Sequence, residues 1–395
     1  MLCLITTTVF GQGSLTPPGA PSPSMKTLEE INDAICAIPT NVPQDKVDIE
    51  TCFVASNVCY IISSPGSYYL SSSLLSGGVP RAPHTIEIRS GNVDLDLNGF
   101  RVNGSSDGNG MGCAILIDTP DEEVGSIYIH DGTLLGESVV PRGIYVLSSQ
   151  ARIILENLIL HGFKLSGICS AYGVTVHNSQ ALENRMGFSL GANSIVIGCI
   201  AKNNSSGAIS TQTGSIIDHC VAVGNGGGIV AYAGSVVRDC SVLQNFSESS
   251  GSGISVGEGS LVVRCTVSDN SSTNASFYFN GIEAQSYSTV RDCVVKGNDG
   301  SGIKADNDSL VVGNLCSGNG ADKGNAGILV VGHDCRIEGN NCTDNGYGIK
   351  VDANGNFIVR NTASGNTTNY LINTGSHYRI STSLTGADAW DNFEF

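Results

Sequence analysis

Charge is scarce in this chain of 395 residues: 14% of it is Asp, Glu, Lys or Arg. Basic residues are the scarcer sign, with 20 Lys and Arg against 36 Asp and Glu, a net charge of −16. Nucleic acid needs basic patches to meet its phosphates, so it is excluded as a partner. A polyanion would need a bridging metal or a locally basic groove. No apolar run reaches 18 residues, so no membrane-spanning helix is expected. No stretch holds an apolar period of 3.6 over three turns, which excludes a helical fold. Tryptophan occurs once, as Trp390. No Cys-x-x-Cys pair or His-rich spacing suggests zinc.

What the chain has is glycine, 50 of them, and a beat. Asn184, Asn204, Asn225, Asn245, Asn270, Asn298, Asn319, Asn345 and Asn366 recur at steps of 20, 21, 20, 25, 28, 21, 26 and 21 residues. A drifting period in this range marks a solenoid. Five residues before the ladder position stands Cys199, Cys220, Cys240, Cys265 or Cys293. After it, past a turn, come Gly228-Ile229, Gly253-Ile254, Gly281-Ile282, Gly302-Ile303, Gly327-Ile328 and Gly348-Ile349. Short β-branched runs such as Leu261-Val262-Val263 lie between. A coil of about 21 residues is too short for a strand and a crossover helix, which need roughly 30. It suits short strands joined by tight turns, stacked in parallel as a β-helix.

Stacking sets equivalent residues ~4.8 Å apart. Each asparagine then holds a bend in left-handed geometry and bonds the asparagines above and below. The cysteines form a buried column of free thiols, too far apart for disulfides. From Asn319 the pattern shifts by two: Cys316 and Cys342 move to three before the ladder, and Asn314, Asn340 and Asn361 take the place five before it. A second asparagine column is expected there, on the same face of the strand. One disulfide among Cys36, Cys52 and Cys59 suits an oxidising compartment.

The open ends need caps. Thr27-Leu28-Glu29-Glu30 is a capping box, and Leu28, Ile31, Ile35 and Ile38 give a short amphipathic helix over 28–38. Tyr370, Tyr378, Trp390, Phe393 and Phe395 supply a closing plug. The chain therefore divides into a signal-like apolar segment at 1–13, a Pro- and Ser-rich linker at 14–24, an N-terminal cap at 25–85, the parallel β-helix at 86–370 and a C-terminal cap at 371–395. The signal-like start, although it has no basic lead, points to a secreted or cell-surface protein.

Several phrases are more specific than the period. They are Tyr60-Ile61-Ile62-Ser63-Ser64-Pro65-Gly66-Ser67-Tyr68-Tyr69-Leu70, Val93-Asp94-Leu95-Asp96-Leu97-Asn98-Gly99-Phe100, and Asn361-Thr362-Ala363-Ser364-Gly365-Asn366. Over roughly residues 25–395 the chain resembles the bacterial right-handed parallel β-helix repeat proteins of the pectin-lyase-like superfamily. The resemblance implies a single-stranded right-handed parallel β-helix. It also implies a secreted protein that acts on polysaccharide as a lyase, hydrolase or epimerase, or a non-catalytic adhesin or tailspike. The polygalacturonase, pectate-lyase and alginate-epimerase motifs are absent, so no catalytic residue carries over, and fold alone does not license an activity.

A site is expected on the sheet that starts at each Gly-Ile pair. The residues one and three after the isoleucine face solvent, and they include Glu283, Gln285, Lys304, Asp306, Lys350 and Asp352, with Tyr232 above them. From ladder asparagine to glycine takes three residues in most rungs, but 8 after Asn245, 11 after Asn270 and 8 after Asn319. Long loops on one edge of a solenoid are where binding faces form. The longest carries Phe277-Tyr278-Phe279. Tyr232, Phe277, Tyr278 and Gln285 are the candidate contacts for a polysaccharide or cell-surface glycan.

Glu283, Asp306 and Asp352 are the candidate catalytic carboxylates, with Lys304 and Lys350 beside them. Glu283 and Asp306, if on adjacent rungs, lie ~5 Å apart, as in retaining glycosidases. The alternative is a solvated face of cross-rung ion pairs. His219, Asp239, Arg264 and Asp292 form a second charged row with rung-to-rung pairing. His130-Asp131, His161 and His177 have no evident partner. No cofactor is called for, and the one metal the sequence leaves room for is calcium at Asp94 and Asp96. Two functions stay open: a β-helix that binds and processes polysaccharide, and a non-catalytic structural or adhesive surface protein.

Overall fold

The computed structural model describes residues 46–54, 59–75, 83–106, 112–120, 125–137, 139–274, 276–320 and 325–395. The expected signal segment, linker and capping helix lie outside them, as does Cys36. The described chain is a parallel β-helix built almost wholly from strands of two to ten residues. One 15-stranded sheet runs along it, and a 27-stranded sheet wraps the other two faces. Parallel pairing already joins Gly66–Tyr69 to Val93–Asp96 and then to Ser126–Leu135.

Each coil of the repeat contributes one strand to each face. In one coil these are Gly251–Val256, Leu261–Val263 and Thr266–Ser268. The period-2 alternation sends one row of side chains inward. Ile209, Ile229, Ile254, Ile282, Ile303, Ile328 and Ile349 stack in register, all essentially inaccessible.

Ala208 precedes Ile209; from Ile229 on, the residue before each of these isoleucines is glycine, and close approach requires it. A Cβ on Gly281 would lie 2.5 Å from the Gly302 carbonyl, 2.4 Å from Val295 and 2.9 Å from the Asn298 amide. A side chain there would collide with both the next coil and the ladder.

The ladder itself is unbroken. The Nδ2 of Asn184 donates to Oδ1 of Asn204 at 3.1 Å, and the same bond repeats through Asn225, Asn245, Asn270, Asn298, Asn319, Asn345 and Asn366 at 2.8–3.1 Å. Each Nδ2 also donates to a carbonyl inside the coil, as Asn245 does to Ala222 at 3.1 Å. Each Oδ1 accepts from the backbone N–H of the previous asparagine as well. Every polar atom of a buried amide is thereby satisfied, which the interior demands.

The ladder asparagines are not themselves left-handed. The residue before each one is: Glu183, Asn203, Gln244, Asp269 and Asp344 have φ of 53–58°, and Gly224, Gly297, Gly318 and Gly365 stand in the same place. The chain turns at that residue so that the asparagine can point inward.

The thiol column forms as expected. Cys199, Cys220, Cys240, Cys265 and Cys293 are buried and free, each donating to the carbonyl two residues before it. The shift at Asn314 also forms. Asn314, Asn340, Asn361 and Asn392 make a second ladder at 2.8–3.0 Å, and Cys316 sits opposite Cys342. A serine column at the third corner had no counterpart in the sequence reading. Backbone N–H groups of Ser194, Ser215, Ser235, Ser260 and Ser288 donate to the hydroxyl one coil on.

Cys59 is a free buried thiol, so a disulfide among Cys36, Cys52 and Cys59 does not include it. At the C-terminal end the plug is Tyr370, whose hydroxyl donates toward the carbonyls of Asn361 and Phe393 at 3.0 Å. Trp390 is not part of it. Its ring is 48% exposed and lies under the Arg360 guanidinium at 4.1 Å. Among the described residues no helix is long and apolar enough to cross a membrane.

Candidate functional site

The outward rows of the Gly-Ile sheet fall where alternation puts them. Ser255, Glu283, Lys304, Leu329 and Lys350 occupy one row, in register rung by rung. Gln285, Asp306, Val331 and Asp352 follow two residues later, each donating its N–H to the coil before.

Register decides which charges meet. Glu283 is opposite Lys304, not Asp306. Its Oε1 accepts from Lys304 Nζ at 2.8 Å, and its Oε2 accepts from Ser252 at 2.9 Å. Burial raises the Glu283 carboxyl, but Lys304, Ser252 and Asn280 outweigh it and hold the group below its ordinary range. Glu283 is therefore an ionised carboxylate, not a proton donor.

Asp306 lies diagonally from Glu283, one rung across and two residues along, which is roughly 8 Å between Cα atoms. The ~5 Å expected for that pair assumed a direct opposition that the register does not make. Asp306 Oδ1 accepts from the N–H of Asn307 at 2.9 Å. Asp352 pairs with Lys350 on its own strand at 3.1 Å, and Val331 separates it from Asp306.

The long loops gather on the edge that precedes this sheet. Phe246–Ser247 and Ser271–Ser272 pair as a small parallel sheet of their own, so two loops stack on each other. Asp299 clamps the longest loop at both ends: its carboxylate accepts from the N–H of Ser272 at 2.8 Å and of Phe279 at 2.7 Å. Phe279 turns into the core, where its ring fills the space above Gly251. Phe277 and Tyr278 remain 39% and 45% exposed, and Phe246 joins them at 48%. Tyr232, 49% exposed, follows Ile229–Ala231 and so stands at the opposite strand end, in the row of Gln285. The aromatics thus lie ahead of the polar rows on the loop edge and at the far strand end in the second row.

The second charged row pairs as expected in part. Arg264 grips Asp239 with two bonds of 2.6 and 2.7 Å. His219 and Arg238 both turn to Asp218, at 2.6 Å each, and Asp292 meets Arg291. His219, Asp239, Arg264 and Asp292 all have φ of 51–56°. They occupy the turn before the thiol column.

Sequence reasoning missed one cluster, on the first face of the wrapped sheet. Asp94, Tyr128, Ile154 and Thr175 form one outward column there, and Asp96, His130, Glu156 and His177 form the next. The steps of 34, 26 and 21 residues along the second column hid the alignment. His130 does have partners. Its Nδ1 is 2.7 Å from Asp131 and its Nε2 is 3.1 Å from Asp94, while its ring stacks on Tyr128 at 4.4 Å. The hydrogen bonds from His130 and Asn157 lower the Asp131 carboxyl. Lys46 meets Asp96 at 3.2 Å. Tyr128 donates to Glu156; burial, then that bond, raises the phenol and keeps it protonated. His161 pairs with Glu183 at 3.3 Å.

Two groups in the described residues could gather around a metal: Asp96, His130 and Asp131, and Asp218, His219 and Asp239. In both, an imidazole is mixed with carboxylates, of which Asp96, Asp218 and Asp239 already hold a Lys or Arg. Calcium takes an all-oxygen set, so neither group fits it well.

Coil geometry, ladders and parallel faces define a β-helix protein with a polar, aromatic-flanked sheet. The family model for the right handed beta helix region matches residues 113–249 and 237–384, and the chain belongs to that family. Among solved structures it is similar to the A-module of the Azotobacter vinelandii mannuronan C-5 epimerase AlgE4. That likeness has 14% identity and a TM-score of 0.49, and covers 83% of this chain and 93% of that one. It is also similar to the Dettilon tailspike protein, with 15% identity and a TM-score of 0.37, over 85% of this chain and 59% of that one. No protein of curated function matches the sequence.

Proposed function

We propose that this protein is a secreted or cell-surface β-helix that binds polysaccharide across the Gly-Ile sheet, between about residues 230 and 352. The observation that carries the reading is the pair of aromatic flanks, Phe277 and Tyr278 on one edge and Tyr232 on the other. Sugar rings stack their C–H faces on aromatic rings, and their hydroxyls bond to charged and amide groups. Glu283, Lys304, Gln285, Asp306 and Lys350 supply such groups on the same sheet. The sheet and the clamped loop hold them in place before any ligand arrives, which lowers the entropic cost of binding.

The ion pairs of Glu283 with Lys304 and of Asp352 with Lys350 favour binding over proton transfer. A processing role would rest on Asp306, the one of the three carboxylates without a basic partner among the described residues. The test is a screen of neutral and acidic polysaccharides, with and without calcium, for retention and for release of reducing or unsaturated ends. Retention lost in a Tyr232→Ala/Tyr278→Ala double variant supports the binding reading. Product release abolished by Asp306→Ala would add catalysis. No retention of any polysaccharide would leave the structural or adhesive role.

A further inference from the structure

The column of Asp96, His130, Glu156 and His177 lies on a different face from the Gly-Ile sheet, and it differs from the rest of its own face. Downstream on that face the carboxylates are met by arginines on the same or neighbouring rungs: Asp218 by Arg238, Asp239 by Arg264, Glu338 by Arg336 and Arg360. Upstream the balance is lost. Asp94, Asp96, Asp131 and Glu156 lie on neighbouring rungs, Glu156 lines a groove there, and the cations beside them among the described residues are Lys46, bonded to Asp96, and Arg152, in register with Ser126 at the rim. The imidazoles of His130 and His177 complete the set.

The groove has a volume of about 450 Å³ and is lined by Ser126, Tyr128, Ile154, Glu156 and His177. Its floor is apolar, from Ile154 and the Tyr128 ring. Its polar groups are preset. His130 is fixed between Asp94 and Asp131 and holds the Tyr128 ring by stacking. Tyr128 in turn orients Glu156. The imidazole of His177, one rung beyond Glu156, has no hydrogen-bond partner among the described residues and stays available at the rim.

We propose that this groove is a second ligand site, for a sugar that carries a protonated amine, with the ring on Tyr128 and Ile154 and the ammonium on Glu156. An aromatic face beside a carboxylate suits a cationic, hydroxyl-bearing ring. A uronate would bring its own carboxylate against Glu156, with Asp94, Asp96 and Asp131 on the rungs beyond, and is disfavoured. The site shares no residue with the Gly-Ile sheet, so it stands or falls separately.

Calorimetry at pH 6 with three tetrasaccharides tests it: glucosamine, N-acetylglucosamine and galacturonate. The wild type should bind the glucosamine tetramer, with the galacturonate tetramer tenfold or more weaker. Glu156→Gln should weaken glucosamine binding tenfold or more. Tyr128→Phe, which keeps the ring but frees Glu156, should weaken it several-fold. Asp269→Asn removes the same charge from an exposed corner outside both sites, where Asn203 stands upstream, and should change it less than twofold. Equal losses in Glu156→Gln and Asp269→Asn would mean bulk attraction to an acidic protein and overturn the site. Absence of glucosamine binding, or tighter binding of galacturonate, would overturn it as well.

Discussion

At the scale of single residues, the stability of this fold is carried by amides that would be a liability anywhere else. A buried asparagine costs its desolvation unless every polar atom is paired. In the ladders each one is paired because identical neighbours sit one rung away. The consequence is unequal sensitivity along one coil. Asn245→Ala strands the amides of Asn225 and Asn270 and the carbonyl of Ala222. At ~1–3 kcal/mol per stranded group, it should cost at least about 3 kcal/mol in urea unfolding. Cys240→Ser should cost less, since Ser179 already fills the equivalent place upstream, where its hydroxyl donates to the carbonyl of His177 and accepts from the N–H of Leu158. Gly281→Ala adds one methyl where none fits and should lose about 1–3 kcal/mol by overpacking.

Protonation acts at the same scale. The folded-state pKa values of Asp131, Asp218 and Glu283 are depressed. For Asp218, as for Glu283, burial pushes the value up and the basic partners more than reverse it. A depressed carboxylate adds stability that is fully present above its unfolded value, near 4. That stability is lost as pH falls through the lower folded value. Unfolding free energy should therefore be flat from pH 7 to about 5 and fall below 4. A loss beginning near pH 6 would contradict this.

At the scale of elements, strand and corner are coupled, and that explains what could be read from sequence. The ladder, the thiol column and its replacement by a second asparagine column were legible, because each is a single residue type repeating at one place in a coil. The serine corner was not legible, because serine is common in turns and its columns do not stand out. The charged groups were legible as rows but not as pairs. Glu283 and Asp306 looked adjacent until the register placed Lys304 opposite Glu283. The Asp96 to His177 column escaped notice because long insertions separate its first rungs.

The loop bearing Phe277 and Tyr278 is the element most exposed to test. Its ends hang on Asp299. Asp299→Ala should loosen hydrogen exchange at 271–280 and weaken glycan binding, with the urea midpoint shifted far less than by Asn245→Ala. The thiol column gives a matching control. Cys199, Cys220, Cys240, Cys265 and Cys293 are at most 1% exposed. They should resist alkylation in the folded protein and react together on unfolding.

At the scale of the whole molecule, the solenoid separates shape from recognition. Similar rungs stack one on the next, and stability is spread over nearest neighbours. Recognition is left to outward residues that the rungs do not need. On this account the Gly-Ile sheet with its loop edge is the polysaccharide face. The direct measurement is hydrogen–deuterium exchange of the full chain with and without a polysaccharide it retains. The account predicts protection at 251–256, 271–284 and 303–306, with little change at 261–268 on the two other faces of the same coils. Protection confined to those other faces, or none at a saturating concentration of a retained polysaccharide, would contradict it.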